Sequence, residues 1–496
     1  MITNSATTGS PATQRAVLPV ICLALATVVS AVASLNVALP SVARDTHASL
    51  TQLSWIIDAY ALVFAALLLI GGAFGDRYGR RRALLAGLAL FGAGSLAAMT
   101  VDDPAWLIVL RGVLGIGAAL VMPATLSTIT GTFVAEQKAR AVGAWAGVAG
   151  ASAILGLLTS GVLLEVWSWR AVFGLNVVLA VIVFIGTVRF IPESADPDAP
   201  RLDIVGALIT VAGLGLLVYS IIEAPTAGWG SVRTLVGIAA GLAILAGFVG
   251  WERTQRNPLL DPQLFGHRAF AAGTLSITLQ FFGFFGLLFL LLQYLQLVRS
   301  DSPLIAALSL IPMAIAMMPS ARILAPRLAA RVGQRRACTA GLVLIAAGFL
   351  VIAQLDQTSS YWLLLTGLLP LGAGMGLAMT PATAAITDAL PAAKQGVGSA
   401  MNDLSRELGG ALGIATLGSV MQSIYRAHLD VSRLPQPLAD HARSSLAAAS
   451  RIGPAVAEQA RSAFVDGMHI ALICAAVAAV VAVVAITALL RHNRGG

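Results

Sequence analysis

Residues 72–84 read Gly72-Ala73-Phe74-Gly75-Asp76-Arg77-Tyr78-Gly79-Arg80-Arg81-Arg82-Ala83-Leu84, a glycine-bearing cationic turn between two long apolar segments. One acid, Asp76, stands among four arginines, Arg77, Arg80, Arg81 and Arg82. Short arginine-rich loops between apolar runs fix topology, because they stay on the cytoplasmic side of a membrane. A carboxylate at a helix end beside arginines can also latch two helices together.

Composition around that turn sets the broad class. The chain has 496 residues, 58% hydrophobic and 11% charged, with a mean hydropathy of +0.86. A soluble chain of this size carries about twice that charged fraction. A spanning helix needs about 20 mostly apolar residues, and this ruler gives fourteen candidates, at about 16–42, 53–74, 83–101, 105–130, 139–163, 170–190, 203–223, 233–251, 269–298, 303–325, 337–354, 361–388, 397–424 and 467–490. They are numbered helix 1 to helix 14. The expected fold is an all-α integral membrane protein with two six-helix pseudo-symmetric halves plus two inserted helices.

The basic residues say which face is which. Net charge +8 and pI ≈ 10.0 come mostly from arginines in short loops, a topological pattern and not a nucleic-acid face; five more arginines lie in the long outer loop 425–466, and long loops count little in this rule. With odd helices running outward, the inner segments hold Arg15; Arg77, Arg80, Arg81, Arg82; Lys138, Arg140; Arg189, Arg201; Arg253, Arg256, Arg268; Arg322, Arg327, Arg331, Arg335, Arg336; Lys394; Arg491 and Arg494. The short outer loops hold Arg44, Arg170, Arg233 and Arg299. Both termini are therefore expected in the cytoplasm, with the chain multi-pass in the plasma membrane. Cys22, Cys338 and Cys474 lie in apolar runs without a CxxC partner and read as packing residues. The apolar run 16–42 is too long for a signal peptide and reads as the first span.

The chain also repeats itself. Arg331-Val332-Gly333-Gln334-Arg335-Arg336 echoes Arg77-Tyr78-Gly79-Arg80-Arg81-Arg82, with Ala330 at the position of Asp76. The predicted organisation is an N-terminal tail (1–15), a first half (16–190), two extra helices (203–251), a second half (269–490) that includes an outer loop (425–466), and a tail (491–496). Parallel halves of this kind place a substrate site near the midplane between them. Within the outer loop, 437–450 and 454–464 read as short surface helices on a solvated spacer.

Several stretches resemble a known family. Gly72-x-Phe74-Gly75-Asp76-Arg77-x-Gly79-Arg80-Arg81-x-x-Leu84 is similar to the loop 2–3 signature of the major facilitator superfamily, and Arg111-Gly-Val-Leu114-Gly115-Ile-Gly117-Ala118-Ala119 to its helix 4 signature. Trp55-Ile-Ile-Asp58-Ala-Tyr60 and Ser399-Ala-Met-Asn402-Asp403-Leu-Ser-Arg406-Glu407-Leu-Gly409-Gly410 resemble its 14-helix drug:proton antiporter branch. The resemblance implies proton-driven export of an amphiphilic or cationic molecule by rocking of two halves. Three positions depart from the pattern. Ala31 stands before Asn36-Val-Ala-Leu-Pro40 where that branch carries an Asp, which removes a titratable group. Leu157 follows Gly156 where the helix 5 signature has a proline, which removes a kink. Leu114 replaces a Gln.

An ionisable side chain inside a membrane costs a few kcal/mol and is a functional candidate by default. Asp58 and Arg111 lie at matching depth, roughly 8–9 Å from the outer edge at 1.5 Å per residue. They read as a proton relay paired across the cavity, or as a permanent salt bridge. On helix 13, Asp403 and Glu407 share a face, with Arg406 between them. Glu407 reads as proton- or substrate-linked, supported by Asp403 and Arg406; an anchor at the helix end is the other reading. The loop residues Gly72, Asp76, Arg77, Gly79, Arg80 and Arg81 are gating candidates. Gly147, Gly150, Gly156 and Gly161 suit close packing of helix 5, against the other half or within its own. Asn36, Gln280, Phe281, Phe284, Gln293, Tyr294 and Asn402 are candidate substrate-wall residues, since stacking and sparse hydrogen bonds suit an amphiphile.

The chain shows no Walker loop, HExxH, zinc-ligand spacing or GxSxG. It is expected to be no enzyme and to use no cofactor or metal, with a proton gradient as its energy source. The expected partners are a small-molecule substrate, protons and the lipid bilayer, with no nucleic acid and a monomeric state. A weakly coupled facilitator or lipid flippase, or a non-transporting membrane sensor, remain alternatives on the same fold.

Overall fold

The computed structural model describes residues 11–133, 135–195, 202–255, 258, 260–390 and 395–491. Arg201, Arg256, Lys394, Arg494 and the side chains of Arg15 and Arg491 lie outside the described residues. Among the described residues, thirteen helices are long and apolar enough to cross a membrane. They are helix 1 (Pro11–Thr46), helix 2 (Leu50–Tyr78), helix 3 (Arg80–Ala98), helix 4 (Pro104–Thr132), helix 5 (Ala135–Val166), helix 6 (Arg170–Phe190), helix 7 (Ile204–Ala227), helix 8 (Val232–Glu252), helix 9 (Arg268–Val298), helix 10 (Pro303–Val332), helix 11 (Gln334–Ile352), helix 12 (Tyr361–Asp388) and helix 14 (Pro454–Arg491). Helix 13, Gln395–His428, is as long but less apolar, because Asn402, Asp403, Arg406 and Glu407 interrupt it. It packs among helices 2, 7, 9 and 14 inside the bundle.

Local chemistry explains the ends and breaks. Ser49 caps helix 2 reciprocally: its hydroxyl accepts from the Gln52 N–H, and its own N–H donates to Gln52 Oε1 at 2.9 Å. Helix 10 is broken into Pro303–Leu308, Ile311–Pro319, a π-helical turn Ser320–Leu324, and Ala325–Val332. Pro312, Pro319 and Pro326 sit at those breaks, where each removes a backbone donor.

Packing repeats with a shift of eight helices. Helices 1·5, 1·6, 2·4, 3·4 and 3·6 pack together in the first half, and 9·13, 9·14, 10·12, 11·12 and 11·14 in the second. The glycine contacts repeat as well. A Cβ on Gly87 would lie 2.7 Å from the Gly117 carbonyl oxygen, and one on Gly341 2.6 Å from that of Gly374. Only backbones without side chains can approach so closely. Helices 7 and 8 form a hairpin. Helix 7 lies on helices 2 and 13, where Leu214, Val218 and Ile222 bury against Ala61, Leu62, Ala66, Ala411 and Ala415.

The halves are fastened at the face opposite the arginine-rich loops. There Gln296 Nε2 donates to the Val37 carbonyl at 2.9 Å, and Thr51 Oγ1 to Gln422 Oε1 at 3.0 Å. Glu165 of helix 5 accepts the Leu304 N–H that opens helix 10, at 3.2 Å. The 425–466 loop is no spacer. Leu446, Ala447, Ala448 and Ala449 are all buried, and this short helix packs on helix 1 of the other half. Arg451 crosses to the His47 ring at 3.2 Å and to the Arg44 carbonyl. The apolar alanines, not the polar residues between them, decide this placement. The stretch 454–464 is not a separate helix, since nothing breaks the chain before the span it continues into.

Candidate functional site

A cavity of about 190 Å³ lies between the halves, walled by helices 1, 4, 5, 9, 10, 12 and 13. Aliphatic side chains make up much of the wall, and three further kinds stand among them. Phe281, Phe284 and Phe285 form an aromatic cluster with ring centroids 5.3–6.0 Å apart. Met122, Met313, Met317, Met375 and Met379 supply flexible, polarisable thioethers. Asp403, Arg406 and Glu407 of helix 13 are the charged members. Arg406 stands 4.7 Å over the Phe281 ring and 3.8 Å from Asp403 Oδ1, whereas Glu407 makes no ion pair among the described residues. Formal charges therefore sum to one negative, presented beside aromatic faces that also favour cations.

The Asp58–Arg111 pair expected across the cavity is not formed, and neither residue lines it. Arg111 Nε donates to the Ile56 carbonyl at 2.8 Å, and its guanidinium lies 4.3 Å over the Tyr60 ring. Helical geometry gives the reason: Asp58 sits about 200° round helix 2 from both Ile56 and Tyr60. It shares its face instead with Ala61 and Leu62, which pack into the seam with helices 7 and 13. Asp58 is fully buried, and neither carboxyl oxygen has a hydrogen-bond partner among the described residues. Ionised burial without a donor costs several kcal/mol, so such a group is relieved by a proton or by a donor brought in another conformation.

Of the seven predicted wall residues, Phe281 and Phe284 line the cavity. The polar five do not. Asn36 donates to the Val32 carbonyl, Gln280 to the Ser276 hydroxyl, Gln293 to the Phe289 carbonyl and Tyr294 to the Asp356 carbonyl, while Asn402 accepts from Thr383. Each amide or phenol meets its own backbone or a neighbour, although Asn36 Oδ1 and Gln280 Oε1 have no partner among the described residues. The methionines and aliphatic liners such as Val32, Ile154 and Leu310 were missed. The one signal for them was Met313-Ala-Ile-Ala-Met317-Met318, an unusual methionine density.

Helix 5 is divided. Gly161 meets the other half, where a Cβ would lie 2.9 Å from Leu304 Cα, and Gly156 meets Ser30 of helix 1. Gly147 and Gly150 have no neighbour within 4 Å of a Cβ, so they make no close packing, and Gly150 borders the cavity. Leu157, at the position of the missing proline, is a cavity wall.

The loop at Asp76 is tied within its own half. Asp76 Oδ1 accepts from Arg80 at 3.0–3.1 Å, and Arg80 also donates to the Ser127 carbonyl of helix 4. Gly79 turns the chain at φ 118°, and Arg81 and Arg82 reach Glu193, which follows helix 6. Arg81 further donates to the Val188 carbonyl. Gly72 lies against Pro123, and Arg77 lies beside the Tyr78 ring. The latch thus joins helices 2, 3, 4 and 6.

Two helical halves of one packing scheme, enclosing an apolar cavity with a few charged groups at its wall, define a multi-pass membrane transport protein. The chain belongs to the Major Facilitator Superfamily, whose profile matches residues 21–414. It is 34% identical over 410 residues to the multidrug resistance protein Stp of Mycobacterium tuberculosis, covering 82% of this chain and 76% of that one. It is 33% identical over 470 residues to the multidrug efflux pump LfrA of Mycolicibacterium smegmatis, covering 93% and 92%. Among solved structures, a bacterial homologue of the human lysosomal transporter Spinster in an inward-facing conformation superposes with a TM-score of 0.71 at 16% identity, covering 97% and 98%.

Proposed function

We propose that the chain is a proton-coupled secondary exporter of amphiphilic or cationic small molecules, working by alternating access. The arginine-rich face and both termini lie in the cytoplasm, and the protein acts as a monomer in the plasma membrane without a cofactor. The observation that carries this reading is the cavity, with the Glu407 carboxylate unpaired among phenylalanines and methionines. That wall suits a molecule with one apolar face and one positive charge. The names of the relatives, multidrug resistance and efflux proteins, support drug-like cargo. Closure of the halves at the outer face supports an inward-facing member of an alternating pair of states.

Proton coupling is assigned to Asp58, the sealed acid at the seam, with Glu407 as the acid that substrate meets. Arg111 holds the Ile56 carbonyl and the Tyr60 ring and keeps helices 2 and 4 together. The test is accumulation of a fluorescent lipophilic cation in cells expressing the protein. Accumulation rises with Asp58→Asn or with a protonophore; if neither changes it, the coupling assignment is wrong. The neutral Ala31, buried in helix 1, favours a second reading, a weakly coupled facilitator. Flux in proteoliposomes that ignores an imposed pH difference would select it.

A further inference from the structure

The two halves carry the same turn with opposite electrostatic surroundings. Gly333 repeats the backbone of Gly79: φ is 86° against 118°, and each N–H donates four residues back, to Ala329 and to Gly75. In the first copy Asp76 and the Ser127 carbonyl take Arg80, the Val188 carbonyl takes Arg81 and Glu193 takes Arg82, although Arg81 Nε has no partner among the described residues. In the second copy Arg322, Arg327, Arg331 and Arg336 are exposed and Arg335 is half-buried. Among the described residues, no carboxylate lies within 4.0 Å of any of these five, although Asp388 is exposed at the end of helix 12. Ala330 occupies the place of the missing acid.

Apolar surface lies beside the charge. Leu324, at the end of the π-helical turn, and Leu328 and Val332 on the last segment of helix 10 recur every four residues, next to the stripe of Arg327 and Arg331. Ile323 is 49% exposed, Leu324 46% and Val332 38%. Unpaired guanidinium forks above exposed aliphatic side chains match a molecule with an anionic phosphodiester head and hydrocarbon tails. We propose that the helix 10–11 turn binds an anionic phospholipid, with Arg327, Arg331 and Arg335 on the headgroup and Ile323, Leu324 and Val332 against the acyl chains. The lipid supplies from outside the counter-charge that Asp76 and Glu193 supply inside the first half. The tie is then set by membrane composition.

The experiment is native mass spectrometry of the full chain released from nanodiscs of phosphatidylethanolamine with added phosphatidylglycerol of identical chains. The wild-type chain should retain phosphatidylglycerol over phosphatidylethanolamine, with retention falling as salt rises. Arg327→Gln, Arg331→Gln and Arg335→Gln should each weaken retention about fivefold. The charge-matched single changes Arg77→Gln, Arg81→Gln and Arg82→Gln should each leave it unaltered. Equal loss in both sets would reduce the effect to general basicity and overturn the site. Absence of any phosphatidylglycerol preference in the wild-type chain overturns it without reference to a variant. Full displacement by inorganic phosphate would show that the acyl chains contribute nothing and would also overturn it.

Discussion

Asp58 of the first half and Glu407 of the second both sit on helices that meet at the seam, and their surroundings are opposite. Asp58 is sealed, with neither oxygen partnered and alanines and leucines on its face. Glu407 opens on the cavity, one residue from Arg406 and within electrostatic reach of the Tyr60 phenol. Helices 2 and 13 are not counterparts under the eight-helix shift, and under the proposed function the two acids take two different tasks. The sealed acid can respond to protons and to movement of helix 13 against helix 2, but cannot touch cargo. The open acid can touch cargo, and its charge is partly offset by Arg406. Each acid is defined by the helix face it occupies.

The largest effect should come from the sealed acid. Asp58→Asn is expected to cut gradient-driven export by at least about a hundredfold, because a transition between states loses its ionisable group, while equilibrium binding of a lipophilic cation changes less than about twofold. Transport and binding falling together would erase the division of labour. Glu407→Gln should behave in the reverse sense. Binding of a monocation should weaken about tenfold, the order expected for one partly screened charge contact, while a neutral amphiphile of the same shape binds within about twofold. Titrations of the two ligands against the purified variant check this, and equal losses for both would show that Glu407 acts through packing.

The loops offer a sharper version of the same contrast. Asp76→Asn removes the acceptor for Arg80 and loosens the Arg80 hold on the Ser127 carbonyl. Turnover in proteoliposomes should fall about fivefold with expression and binding near normal. Ala330→Asp places an acid in the other copy, where no latch depends on it, and should alter turnover less than about twofold. Similar changes in both would mean that the loops act only through net charge.

Much of this was readable before any coordinates. The Gly79 turn, its echo at Gly333, the positions of Asp403, Arg406 and Glu407 and the aromatic wall at Phe281 and Phe284 all follow from residue type and spacing. The angular placement of Asp58 was readable too, because residues 56, 58 and 60 cannot share a helix face, yet depth alone suggested a partner in Arg111. The polar wall residues misled for another reason. Sequence shows that Gln293 has hydrogen-bonding capacity, not that its amide N–H is already given to the Phe289 carbonyl four residues back. The outer loop was misjudged because short alanine-rich helices carry little hydropathy signal, and burial of Leu446–Ala449 depends on a helix 1 end about 400 residues away in sequence.

The smallest expected effect concerns the missed methionines. Met313 and Met317 lie one helical turn apart on the middle segment of helix 10 and line the cavity together with Phe281 and Phe284 of helix 9. A thioether has three rotatable bonds, so two neighbouring methionines can fit different ring systems without moving backbone. Leucine has nearly the same volume and a narrower set of rotamers, and such swaps usually cost less than about 1.5 kcal/mol. Met313→Leu with Met317→Leu should therefore keep fold and proton coupling. Binding of one well-fitting cation should change less than about threefold, and the spread of affinities across cations of differing ring shape should widen. If the spread stays the same, adaptability resides in the phenylalanines of helix 9, and both the breadth of recognition and its charge reading belong to the contact between Phe281 and Arg406.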